Sequence, residues 1–460
     1  MSASHPLSCV ARDDACRAPL DSLLLQDEYL EISRSLGGDV ASRSVADGIL
    51  MERGAYYHEG PVQWSFIPKV FSRSDISYLA WIAETMGRIM NKVTEAYARD
   101  RRIRDYFGFS SEVEELCLAP VPYEEPIPIA RVDIFLNEET GEFQFCELNT
   151  DGSSGMLATS EVTYANLRTR TGLEFSRRHA VTSFDIYGAC VNAVLSAYRA
   201  AGGARERPVI AAVDFSESIA VHEIERFRAE FEARGASLRF SDLRDLSYRD
   251  GVLSDSQGPI DCVWRRVVVS DMELKPCDGV EAFAACARDG LVPIVGAFRT
   301  WPCATKTVFA LFHDPLIEKV LDPEEVAFVR EHVPETFMLD GSSDLSRFRQ
   351  RERWIAKPRD GFNGLGVRAG SECTEEEWSE TLEHMARTGG TVQAYAPQFY
   401  TVNFEGGAAA VGQEEARYSN MEGLYLFDGA FAGVFTRCGA TAVIGEHTGR
   451  LNMGCLVVDE

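Results

Sequence analysis

Long apolar runs and the short motifs of several common enzyme classes are missing from this chain. No run of about 18 apolar residues is free of charge, which argues against a membrane-spanning helix. The N-terminal segment lacks the basic start and apolar core of a signal peptide, so we expect a cytoplasmic protein. Neither a GxSxG nor a Walker A motif occurs, and serine-triad hydrolases and P-loop enzymes therefore have little support.

Paired cysteines and basic residues are also scarce. The 12 cysteines include no CxxC pair, and none of the eight histidines lies at a metal-binding spacing from them, so neither a disulfide framework nor a zinc or haem site is indicated. We expect most cysteines to be small buried hydrophobic residues. A formal net charge of −25 argues against a nucleic acid or an anionic membrane as a partner.

The apolar periodicity predicts a mixed α/β fold. Three-to-four spacing behind Ser or Asp predicts helices up to about residue 110, notably in "DSLLLQDEYLEISRSL" and "SRSDISYLAWIAETMGRIMNKVTEAYARD". From residue 207, strands "RPVIAAVD", "ASLRFSD" and "IDCVWRRVVV" and a helix closed by Gly235 predict a Rossmann-like unit without the GxGxxG loop. The last third mixes helices at 304–312 and 323–332 with strands near 354, 392, 425 and 434.

The stretch "IARVDIFLNEETGEFQFCELN" reads as a hairpin that the pair Asn137 and Phe143 closes. In that register Arg131 lies opposite Asn149 and Asp133 lies opposite Glu147. The strand period of two places these four side chains on one face. The other face is predicted to be the core face and comprises Val132, Ile134, Leu136, Cys146 and Leu148.

Two carboxylates that lie opposite each other repel unless a cation lies between them. Oxygen atoms of Asp133, Glu147 and Asn149 are ligands that Mg²⁺ accepts, with phosphates and water completing the octahedron. Alternatively, Arg131 neutralises the two carboxylates in a surface ion-pair network. The hairpin alone favours neither interpretation.

A lysine and a glycine-rich loop follow in "WIAKPRDGFNGLGV", where Lys357 ends a strand. Gly361, Gly364 and Gly366 let backbone N–H groups approach an anion such as phosphate, although a plain flexible hairpin loop has the same composition. A second lysine, Lys306, is predicted to lie on a helix. Near the C-terminus a hairpin around "DG" leads to Arg437, either a phosphate or carboxylate clamp or a salt-bridge residue.

The ordered set of these motifs resembles the circularly permuted ATP-grasp ligases, and in particular the synthetase domain of glutathionylspermidine synthase, over roughly residues 125 to 460. The resemblance rests on "RVD" at 131–133, "ELN" at 147–149, "ATKTVFALF", "AKPRDG", "QAYA" and "DGAFAGVFTR". It implies ATP and Mg²⁺, with two metal ions held by Asp133, Glu147 and Asn149, and phosphoryl stabilisation by Arg131 and Arg437. The nucleotide contacts that it implies are Lys306, Lys357, Gln393, Ala394, Tyr395, Ala396, Ala442, Val443 and Ile444.

The chain also departs from that family. It has a helical N-terminal region where bifunctional relatives carry an amidase domain, and "TDGSSG" stands where the family has Ala-Asp-Thr-Pro-Thr, which leaves the acid substrate open. Ser153 and Ser154 of this loop are candidates for acid binding, and Glu217 is a loose candidate for amine binding. The predicted units are 1–125, helical; 126–205, metal and phosphate hairpin with its helices; 206–300, Rossmann-like; and 301–460, nucleotide clamp.

The sequence therefore predicts an ATP-dependent carboxylate–amine ligase that acts on a small acid and a small amine through an acyl phosphate. Two alternatives are an ATP-binding regulatory protein that has lost ligation, and a kinase of small molecules on the same fold. Both would keep the nucleotide site. Release of ADP separates the regulatory protein from the ligase, and trapping of an acyl phosphate by hydroxylamine separates the ligase from the kinase.

Overall fold

The described residues of the computed structural model are 19–57, 60–361, 364–406 and 415–459. They form a mixed α/β fold with 15 α-helices and 22 strands in six sheets. Residues 1–18 of the predicted helical region, and Phe362 and Asn363 of the predicted glycine loop, lie outside the described residues. No helix in the described ranges is long and apolar enough to cross a bilayer.

The elements follow one another in chain order. From Ser22 to Asp214 they are α1 Ser22–Ser35, α2 Val40–Glu52, β1 Tyr56–Tyr57, β2 Gly60–Pro61, β3 Lys69–Ser72, α3 Arg73–Arg99, α4 Arg101–Phe107, α5 Ser111–Cys117, β4 Ile129–Leu136, β5 Phe143–Asn149, α6 Met156–Asn166, α7 Arg170–Arg178, β6 Ala180–Thr182, α8 Ile186–Ala200 and β7 Val209–Asp214. From Val221 to Leu311 they are α9 Val221–Ala233, β8 Ser237–Asp242, β9 Ser247–Arg249, β10 Val252–Asp255, β11 Gly258–Pro259, β12 Cys262–Arg265, α10 Val269–Leu274, α11 Asp278–Asp289, β13 Ile294–Val295, α12 Trp301–Ala304 and α13 Thr307–Leu311. The remainder are α14 Pro323–His332, β14 Thr336–Met338, β15 Trp354–Lys357, β16 Arg368–Ala369, α15 Glu375–Thr388, β17 Thr391–Ala394, β18 Tyr400–Asn403, β19 Ala416–Phe427, β20 Ala430–Gly439, β21 Leu451–Met453 and β22 Cys455–Asp459.

A central antiparallel sheet in the order β21-β20-β19-β4-β5, with β18 on β19, joins strands from distant parts of the chain. Helix α3 covers one face of it. This helix begins with a capping box, in which Ser72 Oγ accepts from the Asp75 backbone N–H and the Asp75 carboxylate accepts from the Ser72 N–H, so the predicted Ser cap is confirmed. Its apolar face packs on the sheet in the largest core cluster.

The hairpin of β4 and β5 has the predicted pairing at the end that carries the polar residues. Arg131 pairs with Asn149, and Asp133 pairs with Glu147. The side chains opposite the predicted polar face, including Val132, are buried in the core. The alternation of polar and apolar residues therefore predicted the residue pairing at this end of the hairpin correctly.

Near the turn the pairing differs from the prediction because Cys146 forms a bulge. Beyond it the register shifts by one residue, and Leu136 rather than Asn137 closes the hairpin with Phe143. Phe145 takes the core position, while Cys146 lines the cavity described below. The prediction that Cys146 lies on the core face was therefore wrong, because a bulge adds one residue that a strict period of two does not include.

A four-stranded parallel sheet in the order β13-β12-β7-β8 occupies the region predicted to be Rossmann-like. From β7 the chain first moves to one side, to β8, and then to the other side, to β12 and β13. In open α/β sheets ligands bind at the carboxyl ends of strands where the order reverses. Asp214 ends β7 and Arg265 ends β12 at this position. The assignment of residues 206–300 as a Rossmann-like unit stays a prediction.

Other expectations for the second half of the chain can be compared directly with the structure. The helix at 323–332 and the strands near residues 354, 392, 425 and 434 are confirmed. The helix predicted at 304–312 is interrupted, and Lys306 lies in the break between α12 and α13. Of the ten cysteines in the described residues, nine are buried and none forms a disulfide, as expected.

A buried charged cluster lies beneath the central sheet. Lys69 and Glu138 form an ion pair and are both almost fully buried. Both carboxylate oxygens of Glu422 are buried and have no hydrogen-bond partner among the residues that the structure describes. Burial, against the opposing charge of Lys69, raises the pKa of Glu422 to about 8.

We expect Glu422→Gln to flatten the pH dependence of stability. The folded state holds the Glu422 proton more tightly than the unfolded state, so wild-type stability falls as pH rises from about 4.5 towards 8. Glutamine does not titrate. Over this pH range the free energy of unfolding of the variant should therefore rise by at least about 1 kcal/mol relative to that of the wild type. Urea unfolding at pH 5, 6.5 and 8 measures it, with the exposed Glu139→Gln as control. Parallel profiles for Glu422→Gln and wild type would contradict the prediction.

Candidate active site

A cavity of about 440 Å³ lies where the central sheet, the parallel sheet and the β14-β17-β15-β16 sheet meet. Most site residues predicted from the sequence line it. These are Arg131, Glu147, Asn149, Ser153, Ser154, Glu217, Lys306, Lys357, Gly361, Gly364, Arg437, Ala442, Val443 and Ile444. The fold thus brings residues from both halves of the chain to one place.

Asp133 lies behind the cavity wall, fully buried between two arginines. Its carboxylate accepts hydrogen bonds from Arg131 Nε at 2.6 Å and Nη2 at 3.0 Å, and from Arg437 Nη2. Burial opposes ionisation, but the two guanidinium groups together hold the pKa of Asp133 below its ordinary value. The arrangement keeps two arginines fixed at the cavity with their charge partly compensated.

Glu147 projects into the cavity and pairs with Lys306. Lys306 Nζ donates to Glu147 Oε1 at 2.6 Å. Burial opposes ionisation of Glu147, but Lys306 holds the pKa of this carboxyl below its ordinary value. Because Lys306 lies in the break between two short helices, its side chain reaches the hairpin rather than following a helix face.

Lys357, at the end of β15, is a buried cation of the site that is held by neutral groups. Its Nζ donates to Gln393 Oε1 at 2.6 Å and to the Cys146 carbonyl oxygen at 3.0 Å. Burial lowers the pKa of Lys357 to about 8, so the ammonium group is still mostly charged at neutral pH. No carboxylate in the described residues forms an ion pair with it, which leaves its charge available to an anion in the cavity.

The glycine-rich loop and residues 442–444 form one end of the cavity. Gly364 has a φ of 73°, and a Cβ atom there would lie 3.2 Å from Val443 Cγ1, so the loop approaches this wall only because the residue is glycine. Four further predicted nucleotide contacts differ in position. Gly366, Ala394, Tyr395 and Ala396 are outside the described lining of the cavity, and Gln393 contacts it only through Lys357.

The residues suit Mg²⁺ only in part. Glu147 and Asn149 both face the cavity, and a metal would be bound by the Asn149 Oδ1 atom, while the buried amide nitrogen has no partner in the described part of the chain. Both oxygens of Asp133 are engaged by arginines. No three Asp, Glu, His or Cys side chains among the described residues group closely enough to hold a metal ion. A metal would therefore need oxygen atoms from its ligand as well.

The "DGSSG" loop, residues 151–155, borders the cavity next to the arginines. Arg131 Nη1 donates to the Ser154 carbonyl oxygen at 2.7 Å. Gly155 has a φ of 96°, and a Cβ atom there would lie 2.6 Å from the ring of Phe435, so only glycine fits at this point. The hydroxyl oxygen of Ser153 is buried and has no partner among the described residues. The loop thus presents one uncommitted hydroxyl in a fixed backbone.

Comparison with known proteins identifies a solved structure of similar fold. Neither a family model nor a curated protein matches the sequence. A solved structure of a glutathione synthetase-like effector from Globodera pallida, in the apo form, is similar with a TM-score of 0.63 at 12% identity, over 95% of this chain and 98% of that chain. This chain shares the fold of that glutathione synthetase-like protein. A putative gamma-glutamylcysteine synthetase from Methylobacillus flagellatus KT gives a TM-score of 0.41 at 11% identity, over 78% and 83% of the chains.

Within this glutathione synthetase-like fold, the parallel sheet supplies residues that the sequence interpretation missed. Glu223 of α9 accepts from the backbone N–H groups of Gly155 at 3.1 Å and Leu157 at 3.0 Å, which caps α6. Arg266 donates to the Ser153 carbonyl oxygen and pairs with Glu223 at 3.0 Å. These contacts fix the loop from a part of the chain far away in sequence, so no local pattern reveals them.

Asp214 was also missed, although its position gave a signal. It is the last residue of the strand "RPVIAAVD", at the carboxyl end of β7, and lines the cavity. Burial raises the pKa of Asp214 to about 7, and it forms no ion pair with any described residue. A carboxylate at the end of a parallel strand is where ligand contacts are expected.

Two further lining residues come from other parts of the chain. Glu217, the loose sequence candidate, is about half exposed and pairs with Arg244 and Lys275. Tyr56, from the predicted helical region, lines the cavity with its ring 5.2 Å from that of His222. The N-terminal part of the chain therefore contributes to the wall of the site.

Proposed function

We propose that this protein is an ATP-dependent carboxylate–amine ligase with a circularly permuted ATP-grasp fold, similar to the synthetase domain of glutathionylspermidine synthase. The observation that carries the proposal is the convergence of Arg131, Arg437, Lys306 and Lys357 with Glu147 on one cavity. These four cations face only two carboxylates at this end of the cavity, Glu147 and the buried Asp133, and such an excess suits a polyanionic ligand such as a nucleoside triphosphate. The likeness in fold to a glutathione synthetase-like protein supports it.

Each group of lining residues then has a role. The loop at 361–366 and residues 442–444 hold the nucleotide, with the chain at 393–396 as its hinge. Lys306 and Lys357 contact its phosphates, and Arg131 and Arg437 stabilise the phosphoryl group in transfer. Glu147 and Asn149, with Asp133 if an arginine releases it, would hold Mg²⁺, which supplies further charge compensation.

The proposed chemistry has two steps. A substrate carboxylate oxygen attacks the γ-phosphorus of ATP, and the bond between that phosphorus and the bridging oxygen breaks. The products are ADP and an acyl phosphate. The amine nitrogen then attacks the acyl carbon, phosphate leaves with its bonding electrons, and the nitrogen loses a proton to give an amide. Neither step needs a serine or cysteine nucleophile.

The two substrates would meet between the loop and the parallel sheet. The uncommitted Ser153 hydroxyl and the Arg266 side chain, which reaches the loop, suit the acid. The opposite wall is acidic, with Asp214, Glu217 and Asp271 all lining the cavity, and suits a cationic amine. The division into units 1–125, 126–205, 206–300 and 301–460 is part of the same proposal.

An assay of ADP release tests the function. The protein is incubated with ATP, Mg²⁺ and pools of small acids and amines, and hydroxylamine is added in a parallel series to trap an acyl phosphate as a hydroxamate. Release of ADP that depends on both pools, with hydroxamate formation, supports the ligase. Phosphorylation of an alcohol without hydroxamate would show a kinase, and thermal stabilisation by ATP without any ADP release would show a binding protein.

We expect Glu147→Gln to lower ADP release about 10²-fold, because it removes a charge that would act on the metal and phosphates. Glu139→Gln, in the exposed turn of the same hairpin, is the matched control and should keep wild-type turnover. Thermal unfolding of both variants shows whether the fold is intact. Wild-type turnover in Glu147→Gln would remove this residue from the site.

A further inference from the structure

A second cleft lies on the far side of α6 from the active-site cavity. It consists of an inner cavity of about 180 Å³ and an outer one of about 440 Å³, which share Arg53, Tyr164 and Arg226. Arg168 lines the outer cavity. None of the described lining residues of this cleft lines the active-site cavity. We call it the arginine cleft.

Tyr164 holds two of the arginines in place. The guanidinium carbon of Arg53 lies 3.8 Å from the centre of the Tyr164 ring, and that of Arg168 lies 3.2 Å from it. Such stacking fixes the plane of a guanidinium group while its N–H edge stays open to hydrogen bonding. Arg168 Nη1 also donates to the Tyr164 carbonyl oxygen at 3.0 Å.

The buried Glu161 holds Arg53 and Arg226 of the arginine cleft in place. Its carboxylate accepts from Arg53 Nε and from Arg226 Nε, and from the Tyr187 hydroxyl at 3.3 Å. The Nη groups of Arg53 donate to no acceptor among the described residues. Arg226 Nη1 reaches only Glu230, at 3.4 Å. Several guanidinium N–H groups therefore line a cavity without being used by the protein.

The charge in the arginine cleft is unlike that of the rest of the chain. Three arginines line it against two carboxylates, Glu52 and Glu161, and Glu161 is only 1% exposed. The chain as a whole carries a formal net charge of −25. The lining carries one more positive than negative charge, and Glu230 contacts Arg226 from outside it. The field of the acidic chain repels anions, so an anion in the cleft would have to be held by directed contacts with the guanidinium groups.

The inner cavity adds a pocket with hydroxyl groups in a partly apolar wall. Ser160 Oγ is buried there with no partner in the described part of the chain, and Thr159, Thr163 and Ser183 also line it. Much of the rest of its wall is apolar, including Phe184 and Val434. It suits the uncharged, hydroxyl-bearing part of a small molecule whose anionic group meets the arginines.

We propose that the arginine cleft binds a small phosphate-bearing molecule, with the phosphate held by Arg53, Arg168 and Arg226 and the body of the ligand at Ser160. Planar guanidinium groups match phosphate oxygens in paired hydrogen bonds. The proposal does not depend on the ligase function, because it uses none of the active-site residues.

Binding of inorganic phosphate tests the proposal. Phosphate is titrated into the full chain at constant ionic strength, and binding is followed by calorimetry in wild type and in Lys357→Met, which weakens phosphate contacts in the active-site cavity. One site should persist in Lys357→Met. Arg168→Glu should weaken that site at least about tenfold, the scale for losing a hydrogen bond to a charged group. Arg168 is exposed, so the fold should tolerate the change.

The matched control is Arg177→Glu, at another exposed arginine, which lies on α7 and pairs with Glu174. It changes net charge by the same amount and should bind phosphate as wild type does. Equal weakening by Arg177→Glu would show a general charge effect and overturn the proposal. The absence of a site in Lys357→Met, or unchanged binding in Arg168→Glu, would also overturn it.

Discussion

Replacing Asp133 with asparagine is expected to lower the free energy of unfolding by about 3–5 kcal/mol, the scale for breaking a buried ion pair by removing one partner. Asp133 is fully buried, and its two oxygens are the acceptors for Arg131 and Arg437. Asparagine keeps the shape but not the charge. Two buried guanidinium groups then face each other across a neutral amide.

Urea unfolding at neutral pH measures this loss, with Asp105→Asn as control. Asp105 pairs with Arg101 on the surface of α4, where both side chains are more than half exposed, and solvent can replace the lost contact. That variant should stay within about 1 kcal/mol of wild type. A loss of similar size in both variants would show that Asp133 is not the counter-ion of the two arginines. A destabilised but folded Asp133→Asn should also lose most ADP release.

The hairpin shows how far the sequence can predict the site. Alternation with a period of two placed Arg131 opposite Asn149 and Asp133 opposite Glu147, and the structure has both pairs. The turn end was wrong by one residue because the bulge at Cys146 adds a residue that a strict period of two does not include. Here the sequence pattern determined which residues share a face, but not how the strand reaches the turn.

The site residues fall into two groups in the same way. Charged residues at strand ends, such as Lys357 and Arg437, stand out in the sequence because an uncompensated charge among apolar neighbours is unusual. Glu223 and Arg266 do not stand out, because their partners are backbone groups of a loop far away in sequence. Contacts of this kind depend on how the parallel sheet sits against the central sheet, and no local spacing encodes that.

Asp133 also shows why a carboxylate pair in a sequence has two interpretations. The structure confirms that Asp133 and Glu147 are opposite each other, but different cations compensate them, arginines for one and Lys306 for the other. Repulsion between the carboxylates is therefore relieved by the protein itself. The metal role of Asp133 stays a proposal that requires an arginine to move.

Lys357→Met is expected to reduce ADP release about 10³-fold while leaving the protein folded. Lys357 is almost fully buried in the cavity, so solvent cannot replace its charge on a bound phosphate, and the loss should exceed that of the partly exposed Glu147. Methionine has a similar length and no desolvation cost, although Gln393 loses its partner, and the free energy of unfolding should change by less than about 2 kcal/mol.

Turnover and urea unfolding of the same preparation separate these two effects, and Lys319→Met, on the exposed surface, is the control. Wild-type ADP release in Lys357→Met would exclude Lys357 from phosphate binding. Loss of activity together with a large loss of stability would instead mean that the lysine supports the fold. A folded, inactive Lys357→Met would show that the chain keeps this buried ammonium group for the ligand and not for its own stability, since the pKa of about 8 already marks the cost of its burial.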